Sequence, residues 1–146
     1  MNIILSSKAA KKLQIEADPV PDFTPDLNSW RIDCTSLTKR SIFIITNEKT
    51  LYTCISSYKN GLGGIIKKIT SVTMKDNFDI SDINYVKFQN RSIVGSMNNI
   101  KQIISQFDRY NPSDNETYEK LINQTPFKYL SYKSPTEVYL SNISSL

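Results

Sequence analysis

Residues 30–58, WRIDCTSLTKRSIFIITNEKTLYTCISSY, decide the fold. Trp30, Ile32 and Cys34 alternate with Arg31, Asp33 and Thr35, the period of two that marks a strand with one solvated face. Ile42-Phe43-Ile44-Ile45 is unbroken apolar sequence, as a central strand covered on both faces requires. Leu51 to Tyr58 supplies a third strand. The links at Thr38-Lys39 and from Asn47 to Thr50 are short, so hairpins joining an antiparallel meander are favoured over crossovers.

Outward toward the C-terminus, Leu62, Ile65, Ile66, Ile69 and Val72 recur at helical spacing with Lys67, Lys68 and Lys75 largely off the stripe. This predicts an amphipathic helix near residues 62 to 75. Asn84 to Gln89 can return to the sheet. Ile93, Val94, Met97, Ile100, Ile104 and Phe107 then mark a second long helix near residues 94 to 109, stopped by Asn111-Pro112. Ser113 with Glu116, and Ser134 with Glu137, stand in capping-box spacing, the second followed by Pro135. Short helices are expected over residues 115–123 and 135–143.

Outward toward the N-terminus, Asn2 to Leu5 predicts a short strand, and Ser6 or Ser7 caps a helical turn through Ala9, Ala10 and Leu13. Asp18 to Ser29 carries Pro19, Pro21 and Pro25 and reads as a surface loop. The expected architecture is one α+β domain over residues 1–146. Its antiparallel sheet of four to five strands, centred on residues 40–47, is packed by the two main helices and closed by a short-helical tail.

The 146 residues suit one domain, and 39% hydrophobic with 22% charged residues supports a packed core. Eighteen Lys and Arg against 14 Asp and Glu leave a formal charge of +4, a mild basicity that suits an anionic partner. There is no histidine, which removes His-based triads, His metal clusters and the usual neutral-pH proton carrier. Cys34 and Cys54 lack CxxC spacing and, without histidine, offer too few soft ligands for a zinc site; no cofactor is expected, and both thiols read as reduced core residues. No segment reads as a secretory signal or spanning helix, so a cytoplasmic protein without membrane association is the expectation.

Two segments invite a ligand. Gly61-Leu62-Gly63-Gly64 opens a helix near Lys67 and Lys68, a setting for phosphate, but lacks the third glycine of a dinucleotide fingerprint and the Gly-Lys-Ser/Thr of a P-loop. Asn90 to Asn99, NRSIVGSMNN, places a guanidinium, hydroxyls and carboxamides at a strand-to-helix junction. Helix N–H groups lack partners there, and Arg91 can grip a carboxylate or phosphate. Phe127-Lys128-Tyr129 and Tyr132-Lys133 have the interleaving that stacks bases, though aromatics near such turns also pin a tail to a core. Asp76, Asp79 and Asp82 do not fit an EF-hand.

The opening strand and Lys-rich turn, Ser29-Trp30, Thr46 to Tyr52 and above all Arg91-Ser92-Ile93-Val94-Gly95-Ser96-Met97-Asn98-Asn99 resemble an uncharacterised family of small bacterial proteins. That family carries an Arg-Ser-Val-x-Gly-Ser-Met-Asn-Asp pattern, with Asn99 here in place of its acid. The resemblance implies an α+β domain in which Trp30, Asn47, Thr50, Arg91, Gly95 and Asn98 are marked positions, and it brings no activity. The expected function is a non-catalytic binding module for an anionic ligand, nucleic acid or protein. Its candidate site joins Arg91, Ser92, Ser96 and Asn98 to Asn47, Thr50 and Trp30. The alternatives are a histidine-free enzyme acting on nucleotides or nucleic acid, and a purely structural or interaction domain.

Overall fold

The structure, a computed structural model, describes residues 1–20, 24, 26–73, 82–87 and 91–144. The meander is present as β3 (Ser29–Ser36), β4 (Ser41–Asn47) and β5 (Thr53–Ser57), antiparallel with Trp30 opposite Asn47 and Ile45 opposite Cys54. β5 starts later than expected because Leu51 takes the left-handed region at φ 60° and belongs to the turn.

The sheet is larger than expected and not purely antiparallel. Among the described residues β1 (Asn2–Leu5), β2 (Asp18–Pro19) and β6 (Asn84–Lys87) extend it to six strands in the order β2-β6-β1-β3-β4-β5. β1 runs parallel to both β3 and β6, and β2 parallel to β6. Local hairpin signals do not reveal this half, because parallel partners are joined by long crossovers. β2 falls in the stretch expected to be a loop, and Pro19 is tolerated because the strand is short and lies on an edge.

Among the described residues five α-helices complete the α+β fold: α1 (Ser7–Leu13), α2 (Gly61–Thr73), α3 (Arg91–Tyr110), α4 (Asn115–Asn123) and α5 (Pro135–Ser144). Residues 74–75 of the expected first long helix, 88–89 of the return strand, Asn90, Asp76 and Asp79 lie outside the described residues. Neighbouring residues of β4 point to opposite faces and divide the core. Phe43 and Ile45 join Ile3, Trp30, Ile32, Ala9 and Ala10 of α1, and Ile65 and Ile69 of α2. Ile42 and Ile44 join Ile93, Met97, Ile100 and Ile104 of α3, and Tyr118 and Ile122 of α4. The face of β3 expected to be solvated is therefore covered: Arg31 is buried and Asp33 half-buried beneath α3.

The C-terminal helices depend on their caps. Asp114, not Ser113, caps α4 by accepting the Thr117 N–H at 2.8 Å, and its carboxylate also suits the positive end of the helix dipole. The capping box at α5 forms as its spacing predicts. Glu137 N–H donates to Ser134 Oγ at 3.3 Å, and Ser134 N–H donates to Glu137 Oε1 at 3.3 Å. Asp108, buried on α3, accepts from the Tyr118 hydroxyl and from Thr38 N–H and Oγ1 at 2.8 Å each, tying α3 to the β3–β4 hairpin and α4. Burial pushes this carboxyl up, but the Tyr118 and Thr38 hydrogen bonds and the Arg40 charge outweigh it and hold it below the ordinary range.

Candidate functional site

β1 lies between β3 and β6, parallel to both. α1, which follows β1, packs on one face of the sheet, and α3, which follows β6, packs on the other. Where helices after adjacent parallel strands depart to opposite faces, the carboxyl ends of those strands part and leave a crevice, the usual ligand position in open sheets. A crevice of about 370 Å³ opens there. Its walls are Leu5, Ser6, Ser7 and Lys8 at the end of β1 and start of α1, Lys87 at the end of β6, and Arg31 and Asp33 on β3. Val94, Met97, Asn98 and Lys101 complete it from one face of α3.

Among the described residues, four cationic side chains and one carboxylate line the crevice. Two of the cations are held by internal acids. Arg31 Nε lies 2.6 Å from Glu48 Oε1, with Glu48 fully buried, and Lys101 Nζ lies 2.6 Å from Asp33 Oδ2. Asp33 Oδ1 also accepts the Cys34 N–H at 2.8 Å. Glu48 Oε2 is buried and has no hydrogen-bond partner among the described residues. Burial pushes the Glu48 carboxyl up, and the Arg31 charge and hydrogen bond pull it part of the way back. Lys8 and Lys87 are exposed and join no ion pair among the described residues. The crevice therefore has two ion-paired cations, Arg31 and Lys101, and two exposed cations, Lys8 and Lys87, that join no ion pair among the described residues.

Of the residues singled out in the sequence, Asn98 lines the crevice. Arg91 and Ser92 are exposed in the first turn of α3 and do not line it, and Ser96 Oγ donates within the helix to the Ser92 carbonyl at 3.0 Å. Gly95, exposed on α3, faces open space. Trp30, Asn47 and Thr50 are fully buried. Trp30 fills the core on the other face of β3, with its indole N–H unpartnered among the described residues. Asn47 builds the β4–β5 turn. Its Oδ1 accepts from Lys49 N–H, Thr50 N–H and Thr50 Oγ1, each at 3.1 Å, while Nδ2 donates to the Leu27 carbonyl at 3.0 Å. The structure thus brings Asn98 to the crevice and keeps Trp30, Asn47 and Thr50 in the interior.

Arg31, Asp33 and Lys101 were not singled out, although their signal is present. Arg31 and Asp33 share one face of β3, and Val94, Met97, Asn98 and Lys101 fall at the i, i+3, i+4, i+7 spacing of a single helix face. Burial pushes the Cys54 thiol up to about 12, so it is unreactive at neutral pH. Among the described residues no group of three or more Cys, Asp or Glu side chains is placed to hold a metal ion, and no helix is long and apolar enough to cross a membrane.

No curated protein and no solved structure matches the chain. The family model for a domain of unknown function, DUF6933, matches residues 66–138. That span is half of the 146 residues and includes Lys87, Asn98 and Lys101 of the crevice. This chain belongs to the DUF6933 family.

Proposed function

We propose that the chain acts as one non-catalytic binding domain for a small anionic ligand, held in the crevice between the ends of β1 and β6 and the face of α3. The observation that carries this reading is the excess of cations in a concave site at the point where the sheet changes winding. Its volume lies within the range of small-molecule sites, and a concave site of that size suits a small ligand rather than the long basic stripe that tracks nucleic acid. The non-catalytic part is supported by the acids. Among the described residues Asp33 is the carboxylate that lines the crevice and is paired with Lys101, while Glu48, which does not line it, is paired with Arg31. Two buried free thiols fit a reducing, cytoplasmic setting.

Calorimetric titration with pyrophosphate and citrate tests it. At least one of these anions is expected to bind, more weakly as salt screens the exposed lysines. The double variant Lys8→Glu/Lys87→Glu, altered only at exposed side chains, is expected to lose about tenfold or more in affinity while keeping its melting temperature. No binding across the panel, or unchanged affinity in the double variant, contradicts the reading.

A further inference from the structure

A second cavity, of about 530 Å³, lies at the opposite edge of the sheet between α2, the outer strand β5 and the start of α4. Its lining includes Lys67 and Lys68 and, among the described residues, no carboxylate. Lys68 is held by Glu119 at 2.8 Å, whereas Lys67 is exposed and in no ion pair among the described residues.

Two independent observations show which kind of group this cavity suits. The first is a one-way chain of hydrogen bonds. Arg40 can only donate, and its Nη2 lies 2.9 Å from Asn115 Oδ1. That contact turns the carboxamide so that Nδ2 donates to Ser57 Oγ at 3.3 Å. Ser57 Oγ is thereby the acceptor on the protein side, and its own proton is left for the cavity it lines. The second is Ser56, which lines the same cavity at 3% exposure and whose hydroxyl hydrogen-bonds to no described residue. Lining the cavity and without a partner among the described residues, that hydroxyl is available to water or a ligand there. Gly64 permits this close packing: a Cβ there would come within 2.7 Å of Ser56 Oγ and 2.5 Å of Asn60 Cβ.

We propose that this cavity binds an oxyanion of the phosphate class. Its oxygens take the protons of Ser56 and Ser57, the carboxamide N–H of Asn60 and the ammonium of Lys67. The site is separate from the β1–β6 crevice and does not depend on that reading.

Inorganic phosphate and a sugar monophosphate, titrated separately by calorimetry, distinguish the free ion from an ester. One or both are expected to bind. Ser56→Ala and Lys67→Ala are each expected to weaken binding about tenfold, the scale of one lost charge-assisted hydrogen bond, whereas Lys8→Glu/Lys87→Glu leaves it unchanged. Ser56→Ala removes a hydroxyl with no described protein partner, and Lys67 is exposed, so both variants are expected to melt with the parent. Three outcomes overturn the proposal: neither probe binds, neither substitution weakens binding, or the Lys8/Lys87 variant does so instead.

Discussion

Glu48→Ala is expected to destabilise the protein by about 3–5 kcal/mol at neutral pH, measured by urea unfolding, because it leaves the Arg31 guanidinium charged and buried without its counter-ion. The pair itself is not expected to contribute net stability. Burial raises the Glu48 carboxyl despite Arg31 at 2.6 Å, so desolvation is only partly offset. Buried ion pairs replaced together by apolar residues of similar volume are often neutral or better. The double variant Arg31→Met/Glu48→Leu is therefore expected to recover most of the lost stability. Arg31 lines the crevice, so the same variant should bind anions more weakly than the parent. A double variant no more stable than Glu48→Ala would show that the pair is structural. Stability and binding thus become separable at one pair of residues.

Asn123→Ala is the other large effect, about 2–4 kcal/mol in the same assay. β5 is the last strand of the sheet, and its outer edge presents backbone groups with no strand to pair with. Asn123, buried at the end of α4, closes that edge as a substitute strand. Its Oδ1 accepts the Thr53 N–H and its Nδ2 donates to the Thr53 carbonyl, both at 2.8 Å. Alanine leaves both groups buried and unsatisfied. Hydrogen exchange at the Thr53 amide should accelerate together with the loss of stability. A variant that unfolds at the parent urea concentration would contradict this account of the edge.

The sequence made the local structure legible and concealed the long-range structure. The β3–β4–β5 meander follows from alternation and short links. Residues 115–123 and the start of α5 follow from capping chemistry, although an aspartate one residue along displaces Ser113 as the cap. The parallel half of the sheet is not legible because Ile3, Ile4 and Leu5 are apolar on both faces and carry no sign of strand direction. The same limit affects the site. Asn47 and Thr50 look like ligand donors because they are polar and close in sequence, yet that spacing also builds a self-satisfied turn, and here it does so. Arg31 and Asp33 look like solvated positions on an alternating strand until α3 covers them. Charged residues on the face of a strand that a long amphipathic helix must cover are the signal that points to the crevice.

On the proposed reading, anions enter between the ends of β1 and β6 against α3. Amide chemical-shift mapping during titration with pyrophosphate tests it most directly. Concerted shifts are expected at Ser6, Ser7, Lys8, Lys87, Asn98 and Lys101, with Asn47 and Thr50 unmoved in the interior. Shifts at Arg91 and Ser92 with the crevice silent would contradict it.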